Sequence, residues 1–368
     1  MGVSRGFSRP PGAAVRFPAL MERRCLPAAL LAALTLAACD GKEPPPPSAA
    51  LRATPDTLLL QPLVDVTAAE ALGGGRWVVL APEDRKVLVV EFGKKPVALG
   101  TGELDQPFQL FKAGDTLWVD DWSRRRATAW SADGKLVATL PANDQLRGAL
   151  PRARDAAGQW YYELRPLPGK DGSGNRDSAN ILRLSAQRMD TVAQLAPYDL
   201  AEVVSEGRRR LERRLLSGQD RWGAFGDGTV WVARADKNRV DWVTPDGRVT
   251  VGRDLPDRVL PVTDNDRELF LNRFDPGLRP SVEAIPFAAI KPPFEQAVAA
   301  PDGSVWLVKN RAVGDTTRFY QVINREGRFV QEFTHPGIGR IIALTADQAL
   351  VAETYAEGVR LLRFSIPK

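Results

Sequence analysis

The sequence predicts an all-β fold, a six-bladed β-propeller, on three observations. A strand–turn–strand motif recurs six times, its strands are apolar in nearly continuous runs, and its spacing is that of a four-stranded blade. The clearest copy runs from Gly226-Asp-Gly-Thr-Val-Trp-Val-Ala-Arg234 to Arg239-Val-Asp-Trp-Val-Thr-Pro-Asp-Gly247.

Aligned on its tryptophan, the motif returns at Trp77, Trp118, Trp160, Trp231, Trp306 and, with leucine in that place, Leu350. The steps are 41, 42, 71, 75 and 44 residues, so three match one blade and two match a blade plus an insertion. Runs such as Val78-Val79-Leu80 and Val87-Leu88-Val89-Val90 do not alternate with polar residues. Such strands suit a sheet covered on both faces, as a blade is by its two neighbours. The last repeat ends after its third strand, near Phe364. Leu58-Leu59-Leu60 precede the first repeat without a partner, and they are expected to supply the missing fourth strand and close the ring.

The chain ahead of the repeats has a different character. Residues 1–38 read as a leader, with Met21 the natural start: Met21-Glu-Arg-Arg is followed by an apolar run too short to span a bilayer comfortably, then Leu36-Ala37-Ala38-Cys39. This resembles a bacterial lipoprotein signal, which implies lipidation of Cys39, cleavage before it, and attachment to a membrane. The expected location is the cell envelope, outside the cytoplasm; Asp40 resembles an inner-membrane retention signal. Residues 39–56, with Pro44-Pro-Pro-Pro47, read as an extended tether, and 57–368 as the propeller.

Charge and cysteine usage narrow the partners. The formal charge is +5, but the leader holds five arginines and one glutamate, which leaves 45 positive and 44 negative residues in the remainder. So balanced a body has no electrostatic footprint for nucleic acid. The two cysteines, Cys25 and Cys39, both precede the propeller, which therefore has no disulfide. The chain is expected to be monomeric, its partners the membrane and an envelope protein or small molecule.

Two insertions break the spacing. Residues 199–216 place Leu200, Val203, Val204, Leu211 and Leu215 at helical spacing with arginines opposite, which predicts one amphipathic helix. The stretch from Pro256 to Pro293 is Pro-rich, has one strand-like piece at Leu269-Phe-Leu271, and is expected to extend a loop over one face.

No reaction is specified. The single histidine, His335, excludes sites that need several, and no Gly-x-Ser-x-Gly elbow accompanies it; blade order puts it in a loop near the axis, with a structural role. Residues 169–177 fit neither a phosphate loop nor a calcium loop and read as a flexible connection. No catalytic residue, metal ligand or cofactor is assigned. Three residues beyond each aligned position stand Leu80, Asp121, Glu163, Arg234, Lys309 and Glu353. In a closed ring the five charged members would surround the axis at one mouth, where they form the candidate ligand site or, on the plainer reading, pair with one another in water.

The Asp-Gly-x-x-Trp-Val strand, followed by a strand ending in Asp-Gly or Glu-Gly, resembles the six-bladed propellers of the superfamily that includes the NHL-repeat proteins. The resemblance spans about residues 57–368 and implies architecture more than activity. It leaves two expectations. One is a membrane-displayed binding or protein-interaction module. The other is an exported metal-dependent hydrolase or lactonase of the gluconolactonase-like type, whose divalent cation sits among Glu, Asn and Asp side chains; Arg234 and Lys309 would repel such an ion.

Overall fold

In a computed structural model, the structure describes residues 46–367 except 61, 166–177, 187, 206 and 257. The leader, Cys39 and Asp40, the start of the tether and the loop 169–177 lie outside the described residues.

Six antiparallel blades follow one another around a ring. Their first strands are Ala68–Gly73, Pro107–Ala113, Pro151–Arg154, Arg221–Ala224, Phe294–Ala299 and Arg340–Leu344. Each packs against the next, and the last packs against the first, so these six strands form the wall of the central channel. The repeat tryptophans stand on the second strands, one step outward, and the apolar core is divided into slabs between blades. Trp231 and Trp242 of blade 4, for example, pack with Phe294, Leu307 and Ile323 of blade 5, whereas Val78, Leu80 and Val87 of blade 1 meet Leu117 and Trp130 of blade 2. Burial on both faces explains why the strands carry no polar alternation.

The ring closes as its sequence predicts. Arg52–Leu60 forms the outermost strand of blade 6, antiparallel to Gly358–Ser365, with Leu58 opposite Leu361 and Leu60 opposite Val359. Just upstream, Ser48–Ala50 adds a fifth, parallel strand to the edge of blade 5 beside Phe329–Pro336. One continuous segment thus bridges the last two blades and covers both of their outer edges.

Both insertions depart from expectation. Residues 199–216 are not an amphipathic helix but a β-hairpin, Leu200–Ser205 paired with Arg208–Arg213. Gly207 at φ 74° makes its turn; a glycine inside a helix would cost about 1 kcal/mol, while at a left-handed turn it is free of strain. Ala201 and Val203 turn inward while Glu202 and Val204 face solvent, a period of two that splits the residues chosen as a helical stripe, with Val203 and Val204 on opposite faces.

The second insertion carries two helices rather than an extended loop, and Leu269-Phe-Leu271 is helical, not a strand. The helix Asp264–Leu271 starts at a capping box in which Thr263 accepts from the Asp266 N–H and Asp266 accepts from the Thr263 N–H. A short second helix, Arg279–Glu283, has Pro280 in its first turn. Phe270 packs against Phe274 and Phe287, and this small aromatic group anchors the pair.

Candidate functional site

The five charged positions at the ends of the second strands do not converge. They sit one strand behind the channel wall, and most are engaged by their own blade. Asp121 is fully buried and accepts from the backbone N–H groups of Asp105, Gln106 and Arg124, which pins the chain entering blade 2. Arg234 lies between Asp220 at 2.8 Å and Asp241 at 3.0 Å. Lys309 donates to Asn238 Oδ1 at 3.2 Å. Glu353 accepts from the Tyr355 hydroxyl at 2.6 Å and stands 3.9 Å from His335. Leu80 belongs to the slab between blades 1 and 2.

Glu163 alone of the five opens onto a cavity. That cavity, about 890 Å³, lies beside the mouth of the ring and is walled by three separate parts of the chain. Blade 3 contributes Arg152, Glu163 and Arg165; the start of blade 4 contributes Asp220, Arg221 and Trp222; the two insertions contribute Tyr198, Arg214, Arg267 and the stretch from Phe287 to Pro293. The insertions are joined to each other there. Leu215 N–H donates to the Pro286 carbonyl and accepts, through its own carbonyl, from Ala288 N–H, both at 2.9 Å. Lys291 of the second insertion pairs with Asp266 and donates to the Arg311 carbonyl.

At the inner wall Glu163 is a hub. It pairs with Arg152, accepts from Arg165 Nε at 3.0 Å, and accepts from the indole Nε1–H of Trp222 at 2.9 Å. The Arg152 guanidinium also lies over the Trp222 ring, 5.4 Å from its centroid. Burial would raise the carboxyl pKa, but Arg152, the indole N–H and Arg165 outweigh it and hold Glu163 below the usual carboxylate range. Two more arginines share the neighbourhood. Loss of solvent, and then the charge of Arg152, pull Arg221 below its ordinary value. Arg213, whose guanidinium lies over Tyr198, is lowered by burial and by Arg165 and Arg221. Behind the wall, Asp120 is fully buried with both carboxylate oxygens unpartnered among the described residues; burial pushes its pKa well up, against the opposing charge of Arg152.

This donor set does not suit a divalent cation. Among the described residues no group of three or more His, Cys, Asp or Glu stands close enough to hold a metal ion. The one ionised carboxylate at the inner wall is already occupied by two guanidinium groups and an indole N–H.

His335 also departs from its expected place. It lies within the fourth strand of blade 5, not in a loop near the axis, and is buried with both ring nitrogens unpartnered among the described residues and its ring 4.5 Å from that of Phe364.

Sequence reasoning missed Arg152, Arg213 and Arg221. Arg152 and Arg221 stand on first strands, Pro151–Arg154 and Arg221–Ala224, which an alignment on the second-strand tryptophans does not compare, and Arg213 stands on an inserted strand.

No family model and no curated protein matches this chain. Among solved structures it is similar to a streptogramin B lyase, at 11% identity over 84% of this chain and 98% of that one, with a TM-score of 0.44. It is similar to a Staphylococcus aureus virginiamycin B lyase at 10% identity, covering 84% and 98% with a TM-score of 0.45. A gluconolactonase from Xanthomonas campestris aligns at 13% identity over 87% and 98%, with a TM-score of 0.42. At these identities and TM-scores, no activity passes from those proteins to this chain.

Proposed function

We propose that this protein is an exported, lipid-anchored propeller that acts as a binding module, and that the cavity beside the ring mouth is its ligand site. The observation that carries this reading is the origin of the cavity walls. Both insertions that interrupt the repeat, at steps of 71 and 75 residues, come together over the junction of blades 3 and 4 and enclose a space of about 890 Å³. A volume of that size suits a small molecule. The anchor rests on Leu36-Ala-Ala-Cys39 and the tether behind it; no helix among the described residues is long and apolar enough to cross a membrane.

Native mass spectrometry of the full chain in mild detergent, after exposure to a small-molecule extract of the producing cells, tests the site. Ala289 is an exposed residue of the cavity wall, so Ala289→Trp fills the space without touching the core. A bound mass retained by the wild type and lost in Ala289→Trp supports the reading, and one retained equally by both contradicts it. Radiolabelled palmitate incorporation that disappears in Cys39→Ala tests the anchor.

A further inference from the structure

We propose that the cavity takes a small oxyanion carrying two or more negative charges, held by the guanidinium groups of Arg152, Arg165 and Arg221. The proposal rests on the reading of the cavity as the ligand site and names the chemistry of what enters it.

The argument is one of charge balance. Arg152, Arg165 and Arg221 line the cavity together with Glu163, the carboxylate that Arg152 and Arg165 share, and Arg213, stacked on Tyr198, adds its charge from behind the wall. Arg152 and Arg165 divide that carboxylate between them, and Arg213 and Arg221 have no carboxylate within ion-pair distance among the described residues. The other charges nearby do not correct the excess, since they are matched locally: Arg214 with Asp199, Lys291 with Asp266, and Asp220 with Arg234. Asp120, although close enough to feel Arg152, is driven toward its neutral form by burial. The cavity wall therefore carries an excess of positive charge, which an anion would complement.

The geometry suits oxygen acids in particular. A guanidinium is a planar fork that binds two oxygens of a carboxylate or phosphate at once, and several forks around one recess favour an anion with more than one such group. Arg221 spends one N–H on the Glu295 carbonyl at 3.3 Å and has no carboxylate partner among the described residues. Donors thus remain at the site.

Isothermal titration calorimetry of the full chain at low ionic strength tests this, with citrate and pyrophosphate as probes and glucose as the neutral control. The wild type is expected to bind one or both anions one to one, to ignore glucose, and to weaken as salt is added. The stronger of the two probes tells carboxylate from phosphate. Arg221→Gln should weaken binding at least tenfold, and Glu163→Gln, which removes the competing carboxylate, should tighten it several-fold. Melting of the ligand-free variants guards against misfolding: Arg221→Gln should melt at or above the wild type because it relieves repulsion. Failure of both anions to bind the wild type, or equal binding by Arg221→Gln, overturns the proposal. Should a cellular ligand still be lost in Ala289→Trp while neither anion binds, the charge argument falls and the cavity reading survives; anion binding that persists in Ala289→Trp refutes the cavity as its site.

Discussion

The indole N–H of Trp222, on the first strand of blade 4, donates to Glu163, on the second strand of blade 3, at 2.9 Å. One side chain thus closes the junction between two blades and orients the carboxylate around which the arginines gather. Trp222→Phe keeps most of the packing and removes the donor. A hydrogen bond to a charged group contributes about 1.5–3 kcal/mol, and with two guanidinium groups still on Glu163 the loss should lie at the lower end. The urea midpoint reports it. No change at all would mean that the bond contributes nothing.

Closure by the N-terminal strand should govern cooperativity. Leu60 is 3% exposed and packs in the slab between blades 6 and 1 with Trp77, Leu350 and Leu361. Leu60→Ala should cost about 2–4 kcal/mol. Removing residues 46–60 should do more, exposing the edge of Gly358–Ser365 and replacing a single thermal transition by a broad one in calorimetry. A truncated chain that melts as sharply as the full one would contradict the closure.

Blade 4 depends on a close approach. A Cβ on Gly223 would come within 2.8 Å of the Trp231 ring, which lies flat over that residue from the neighbouring strand. Gly223→Ala should destabilise by about 1–3 kcal/mol through overpacking, read as a lowered melting temperature; a neutral result would show that the indole can shift aside.

Stability should fall between mildly acidic and neutral pH. Glu70, on the channel wall, is raised from 4.5 to about 7, chiefly by burial, with Lys112 opposing. The native state then binds a proton more tightly than the unfolded chain does. Its contribution is full below pH 4.5 and is lost as pH rises toward 7. Glu70 keeps some solvent contact, which reduces the effect to about 1–3 kcal/mol. Urea unfolding of Glu70→Gln across this range should give a flatter profile, and Asp120→Asn should flatten it further, since burial raises that group in the same direction.

His335 works from the acid side. Burial lowers its pKa from 6.5, with Glu353 opposing and Arg318 reinforcing. The native state prefers the neutral ring, so stability from this group is present above pH 6.5 and is lost as pH falls below it. His335→Leu keeps an apolar contact with Phe364 and should hold its melting temperature better than the wild type between pH 7 and pH 5. A parallel decline in both proteins would show that another group dominates.

Much of the fold was legible because a propeller writes its blades as repeats. Trp77, Trp118, Trp160, Trp231 and Trp306 mark equivalent second strands, and Leu58–Leu60 stood out as a strand lacking a partner. The insertions were harder. In 199–216 the apolar residues follow a period near 3.6, yet the segment is a hairpin in which Val203 and Val204 face opposite ways, and Gly207 at its turn was the signal against a helix. In the second insertion Thr263-x-x-Asp266 is a recognisable helix start, hidden within a Pro-rich stretch. Least legible was the arginine cluster. Arg152, Arg213 and Arg221 belong to a blade, an insertion and the next blade, and the packing of blade 3 against blade 4 brings them together. Alignment of the repeats instead pointed to the ends of the second strands, where Asp121 and Arg234 are spent on holding loops and neighbouring carboxylates.

The central claim is that the cavity under the two insertions binds an anion through Arg152, Arg165 and Arg221. Anomalous X-ray scattering from a crystal soaked in tungstate, a heavy oxyanion, tests it most directly. The account predicts a peak within hydrogen-bond distance of Arg221 and Arg152 that vanishes in Arg221→Gln; tungstate bound elsewhere on the surface with none in the cavity would contradict it.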